Sequence, residues 1–82
     1  MFKNQFFPVG VTGNDPRIVL SGRSHLLIEK HQGIIGYTSD QLTVRLGNGY
    51  VLVTGHSLEI SEYGNLDMVV LGEISSLEFV NV

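Results

Sequence analysis

The strongest constraint on this chain is a pattern that it states three times. Val51 to Ile60 reads V-L-V-T-G-H-S-L-E-I, Ile18 to Ile28 reads I-V-L-S-G-R-S-H-L-L-I, and Met68 to Phe79 reads M-V-V-L-G-E-I-S-S-L-E-F. Each copy is a short apolar run, one glycine, a polar step and then apolar residues at spaced positions. Apolar residues at period two mark a strand with one covered face, and a glycine inside such a run marks a kink, bulge or turn. No segment carries apolar residues at helical spacing over ten positions. The chain is therefore expected to be all-β, with Gly22, Gly33, Gly55 and Gly72 as its structural glycines.

In chain order, residues 1–14 form a short arm holding Phe2, Phe6 and Phe7, in which Pro8 and two glycines oppose a continuous helix. Residues 15–82 form one all-β domain. Strands are expected at Arg17 to Ser21 and His25 to Lys30. A buried Ile34-Ile35 pair follows, bracketed by Gly33 and Gly36, and then a one-faced strand through Leu42, Val44 and Leu46. Gly47-Asn48-Gly49 is the hairpin signal, because these residues tolerate positive φ. Further strands are expected at Tyr50 to Thr54, around Leu58 and Ile60, at Met68 to Leu71, and from Ile74 to Val80 with Leu77 and Phe79 facing inward. The total is seven to nine short, mostly antiparallel strands in a sandwich, roll or barrel. A short β-solenoid is the alternative, since stacked coils also restate strand-glycine-strand.

At 82 residues the core of a single domain is only marginally sufficient. Val51 to Val53 and Met68 to Leu71 are continuously apolar, as strands covered on both faces are. A core of this size hardly covers both runs twice, so one is expected to be covered from outside the monomer. Charged residues are 16% of the chain, below the usual quarter or so. They are also split. The five basic residues, Lys3, Arg17, Arg23, Lys30 and Arg45, lie in the first 45 positions with three acids, whereas the last 37 positions carry five acids and no base. A subunit with unlike ends suits head-to-tail contact; mixing of the charges within one fold is the simpler reading.

Several function classes find little support. Net charge is −3, against non-specific nucleic-acid binding, and basic residues interleaved with aromatics are missing after Arg45. With no cysteine there is neither a disulfide nor a thiolate metal site. The three histidines, His25, His31 and His56, make no metal-ligand spacing. His56 with Ser57 and Ser39 with Asp40 supply triad letters without a nucleophile elbow. Gly47-Asn48-Gly49 is not a phosphate loop, because no helix follows it. No apolar run approaches the roughly 20 residues of a transmembrane helix, and the first residues lack the continuous apolar region of a signal peptide. No catalytic, cofactor-binding or metal-binding residue is therefore assigned, and the protein is expected not to be an enzyme.

The order and spacing of three segments are more specific than any one of them. These are R-I-V-L-S-G with L-L-I-E-K-H-Q-G-I-I-G-Y ending at Tyr37, L-T-V-R-L-G-N-G-Y-V-L-V-T-G-H-S-L-E-I ending at Ile60, and V-V-L-G-E-I-S-S-L-E-F ending at Phe79. Together they resemble the YabP/YqfC family of sporulation proteins, on its YqfC side, from about Pro16 to Phe79. The resemblance implies a small protein of endospore-forming bacteria, made in the mother cell and needed for spore development. It implies no enzyme activity, cofactor or catalytic residue, and it makes a membrane-protein partner plausible. The Phe-rich arm departs from the longer basic segment of related chains, and Leu71 stands where relatives tend to be polar.

These readings converge on a noncatalytic structural or interaction protein of spore coat and cortex-stage morphogenesis. It is expected to be cytoplasmic, on the mother-cell side of the developing spore and peripheral to the membrane through a partner, and to self-associate or dock a partner protein through strand edges. The contact candidates are Phe6, Phe7, Val69, Val70 and Leu71. The competing reading is a ligand- or carbohydrate-binding β module that uses Tyr37, Tyr50 and Tyr63 as one exposed platform.

Overall fold

Gly55 and Gly72 do not end strands; they bend them. The computed structural model describes residues 16–81, which form β1 (Arg17–Ser21), β2 (His25–Glu29), β3 (Ile34–Tyr37), β4 (Gln41–Leu46), β5 (Gly49–Tyr63) and β6 (Asp67–Asn81). The Phe-rich arm lies outside the described residues. The fold is all-β, with six strands among the described residues rather than seven to nine. The difference arises because the segments on either side of Gly55 belong to one 15-residue strand, as do those on either side of Gly72. All pairings are antiparallel, in the order β1-β2-β6-β5-β4-β3. The sheet is thus a single antiparallel one and not a solenoid.

A straight 15-residue strand would run about 46 Å at roughly 3.3 Å per step, whereas the longest dimension of the molecule is 37 Å. The β5–β6 ribbon bends through register slips at Thr54/Gly55, His56/Glu59 and Ile60/Glu62, the local irregularities that kink paired strands. Sequence provides for the bend in two ways. A Cβ on Gly55 would collide with the carbonyl oxygen of Glu73, and one on Gly72 would come within 2.7 Å of the Ser57 carbonyl oxygen. Gly72 also has φ +138°, which L side chains rarely adopt.

The bend divides the sheet into halves. One half comprises β1, β2, residues 67–71 of β6 and residues 59–63 of β5; the other comprises β3, β4, residues 49–54 of β5 and residues 76–81 of β6. Leu26 and Ile28 of β2, Leu42, Val44 and Leu46 of β4, Val51, Val53 and Leu58 of β5, and Met68, Val70 and Ile74 of β6 form one buried cluster. The described residues contain no helix. Side chains from both halves belong to this one cluster, so the two halves cover each other. Each fully buried aliphatic side chain contributes about 1.5–3 kcal/mol to that closure.

Alternation explains the two continuously apolar runs. Val51 and Val53 are buried with Leu52 half-buried between them, and Met68 and Val70 are buried while Val69 and Leu71 are half-buried on the opposite face. Both runs therefore have one core face and one outer face. The Ile34-Ile35 pair is not buried; the residues are 37% and 49% exposed because, among the described residues, β3 ends the sheet and pairs only with β4. The hairpin at Gly47-Asn48 forms, closed by the Leu46/Gly49 pair, although neither turn residue takes a positive φ.

Candidate functional site

Opposed residues of an antiparallel pair share a face, which assigns the exposed apolar side chains to places in the fold. Leu20 is paired with buried Leu26, Tyr63 with buried Met68, Ile34 with buried Val44, Tyr37 with buried Leu42, and Phe79 with buried Val51. All five lie on the core face and all five are exposed, Phe79 the most at 62%. Each sits on one of the four edges of the two half-sheets: Leu20 on β1, Tyr63 on the second half of β5, Ile34 and Tyr37 on β3, and Phe79 on the second half of β6. Phe79 does face inward as its alternation predicts, but no further strand of the described residues covers it. Among the described residues the core is thus unsealed where the sheet stops, and each edge sets an apolar side chain of the core face beside a strand flank that no described strand pairs.

The contact candidates fall in different places. Val70 is a core residue at 0% exposure, so its side chain is not part of the folded surface. Val69 and Leu71 point to the outer face, half-buried, where Val69 continues a cross-strand row with Val19 and Leu27. An open depression of about 320 Å³ lies beside this row, lined among others by Leu27, Val69, Glu62 and Asp67. Phe6 and Phe7 lie outside the described residues. Of the structural glycines, Gly22 (φ +61°) is in the β1–β2 turn and Gly33 (φ +113°) is in the β2–β3 connection.

The three tyrosines do not share a face. Tyr50 is paired with Arg45 and Val80 on the outer face, whereas Tyr37 and Tyr63 are paired with core residues. Each of the latter two is also engaged locally. The Tyr37 hydroxyl donates to the Leu58 carbonyl at 2.7 Å, and the Tyr63 ring lies against the His31 imidazole with centroids 5.1 Å apart. A single stacking platform is therefore not formed, because the strand register directs Tyr50 the other way.

His31 is the polar centre of the fold, with 4% exposure. Its Nδ1 accepts from the Gly33 N–H at 3.1 Å, and its Nε2 donates to the Gly64 carbonyl at 3.1 Å, an arrangement that requires the neutral ring with the proton on Nε2. The His31 N–H donates to the Leu66 carbonyl at 3.0 Å. One residue thereby ties the β2–β3 connection to the β5–β6 turn. The i to i+2 bond to Gly33 was legible in principle, as a polar side chain two residues before a glycine; the Gly64 and Leu66 contacts are tertiary.

At the bend, His56 Nδ1 stands 3.7 Å from Asp40 Oδ1, and both side chains are largely exposed. Ser57 lies in the same bulge with φ 54°. The triad letters come together here, yet among the described residues no serine hydroxyl is hydrogen-bonded to His56. Nor do the described residues bring three His, Asp or Glu side chains into a metal-holding group. No helix among them is long and apolar enough to cross a membrane.

Fold and edges together define a small β protein whose described residues form one folded-over antiparallel sheet, with apolar core-face side chains exposed at its edge strands. The YabP family model matches residues 13–82, and the chain belongs to that family. It is similar to a Bacillus subtilis (strain 168) protein named uncharacterized protein YqfC, with 26% identity over 73 residues that cover 89% of this chain and 78% of the relative. No solved structure matches it. Membership of the family is consistent with a sporulation-related role.

Proposed function

We propose that this protein is a noncatalytic interaction protein of endospore formation, acting on the mother-cell side of the developing spore by adding a strand of its partner to one of its open edges. The observation that carries this reading is the placement of Leu20, Tyr63, Ile34, Tyr37 and Phe79. All are exposed core-face residues at strand ends of the sheet, where an added strand would extend both the hydrogen-bond ladder and the core. Main-chain pairing provides affinity in such a contact, and the alternate side chains provide selectivity. A membrane protein of the spore-forming cell is one partner that would place the chain at the spore surface.

The test is complementation of a host strain lacking the gene. Deletion is expected to lower the yield of heat-resistant spores, and the wild-type chain to restore it. Phe79→Glu, which keeps the strand but charges the exposed edge, is expected to fold with a wild-type circular dichroism spectrum and fail to restore the yield. Full restoration by that variant would refute docking at the β6 edge; an unaffected deletion strain would refute the sporulation role.

A further inference from the structure

Each half-sheet contains four antiparallel strands, and an even number has a geometric consequence. In the first half the outer strands are β1 and the second half of β5, which run in opposite directions; in the second half they are β3 and the second half of β6, which also run in opposite directions. A copy displaced sideways without rotation therefore brings its β1 antiparallel to the β5 edge of its neighbour. In the second layer a sideways displacement likewise sets the β6 edge of a copy antiparallel to the neighbour's β3. Each layer can thus continue sideways with the same faces in and out.

The side chains on the meeting edges are complementary. On the outer face of the first layer Arg17 opens β1, bonded to Glu29 of β2 at 3.1 Å, and Arg23 lies in the turn after β1, while the β5 edge carries Glu59 and Glu62, paired with the outward Leu71 and Val69. Arg17, Arg23, Glu59 and Glu62 are all exposed. In the second layer the core-face residues Ile34 and Tyr37 of β3 would meet core-face Phe79 of β6, each of them exposed in the single chain. A two-fold contact of like edges lacks this match, since it would set arginine against arginine on β1 or glutamate against glutamate on β5. Part of the charge split along the sequence, Arg17 and Arg23 against Glu59 and Glu62, thus falls at opposite edges of one layer.

We infer that copies of this chain associate head to tail, with β1 of one on the β5 edge of the next and β6 of the first on β3 of the second. This deepens the edge-docking reading and rests on it, with a second copy as the occupant. Because the contact is heterologous and the sheet is open, the product is an extended row or a closed ring and not a closed dimer.

The experiment is light scattering on the full chain over a concentration series at low and high salt, with two edge variants. The wild type is expected to show masses above the 9.0 kDa monomer that rise with concentration and fall with salt. Arg17→Glu/Arg23→Glu and Glu59→Lys/Glu62→Lys, each checked for a wild-type circular dichroism spectrum, are each expected to weaken association at least tenfold. An equimolar mixture of the two is expected to recover larger species, because native and reversed edges both find complements. A monomer at all concentrations would overturn the inference. Assembly unaffected by salt, or by either variant alone, would overturn it equally. These outcomes leave the complementation result with Phe79→Glu to decide edge docking separately.

Discussion

Replacing His31 by phenylalanine removes two hydrogen bonds while keeping an aromatic ring against Tyr63. The structure fixes the size of the effect. His31 is 4% exposed and its ring nitrogens bond the Gly33 N–H and the Gly64 carbonyl, each at 3.1 Å. A typical bond of this kind contributes about 0.5–1.5 kcal/mol net, and a buried group left unpaired costs about 1–3 kcal/mol. Gly64 is exposed and Gly33 only partly covered, so water reaches both orphaned groups and the lower part of the range applies. We expect His31→Phe to lose about 2 kcal/mol in urea unfolding followed by circular dichroism, with an unchanged slope. At about 4–8 °C per kcal/mol for a domain of this size, the thermal midpoint should fall by about 8–16 °C. A variant within about 0.5 kcal/mol of wild type would refute the assignment of His31 as the polar tie between the two connections.

Gly72→Ala should cost about 2–3 kcal/mol in the same assay through its φ of +138° and the Ser57 carbonyl, while Gly36→Ala, which meets nothing within 4 Å, should stay within about 1 kcal/mol of wild type. Ser57→Gly relieves a left-handed residue at φ 54° and should raise stability by up to about 1 kcal/mol, read as a higher urea midpoint. Val70→Ala should cost about 2 kcal/mol from lost methyl burial and a residual cavity, whereas Leu71→Lys, on the outer face, should leave a folded chain by circular dichroism; loss of the β signal in the latter would place Leu71 in the core. Arg17→Ala should change stability by less than about 1 kcal/mol, because its 3.1 Å pair with Glu29 is largely exposed.

Alternation made the core of this protein legible. The inward positions of β2 and β4 and of the first half of β5 could be read from apolar residues at every second position, and the Gly47-Asn48 hairpin from its composition. The strand count could not be read the same way. A glycine flanked by apolar alternation looks identical whether the chain ends a strand there or bends within one. Only the neighbouring strand decides, as the Glu73 carbonyl opposite Gly55 shows. The Ile34-Ile35 pair and Phe79 carry the same apolar signal as buried residues, and their exposure follows from sheet order, a global property. The charge split was plain in the sequence, but that Arg17 and the pair of Glu59 and Glu62 fall on opposite edges depends on β1 and the second half of β5 bounding one layer. The role of His31 was missed because two of its partners, Gly64 and Leu66, lie across the fold.

The placement of β6 between β2 and β5 also sets the order in which the molecule can be made. β4 and β5 are joined by a two-residue turn and can pair as soon as they are synthesised. β2 must wait for Asp67 to Leu71, so the first strands of the chain find their place in the sheet only after the last one has emerged. Long-range pairing of this kind slows folding. During synthesis Leu26 and Ile28 remain without their cover, which makes the interval before β6 arrives the period when the chain is most vulnerable to aggregation and proteolysis.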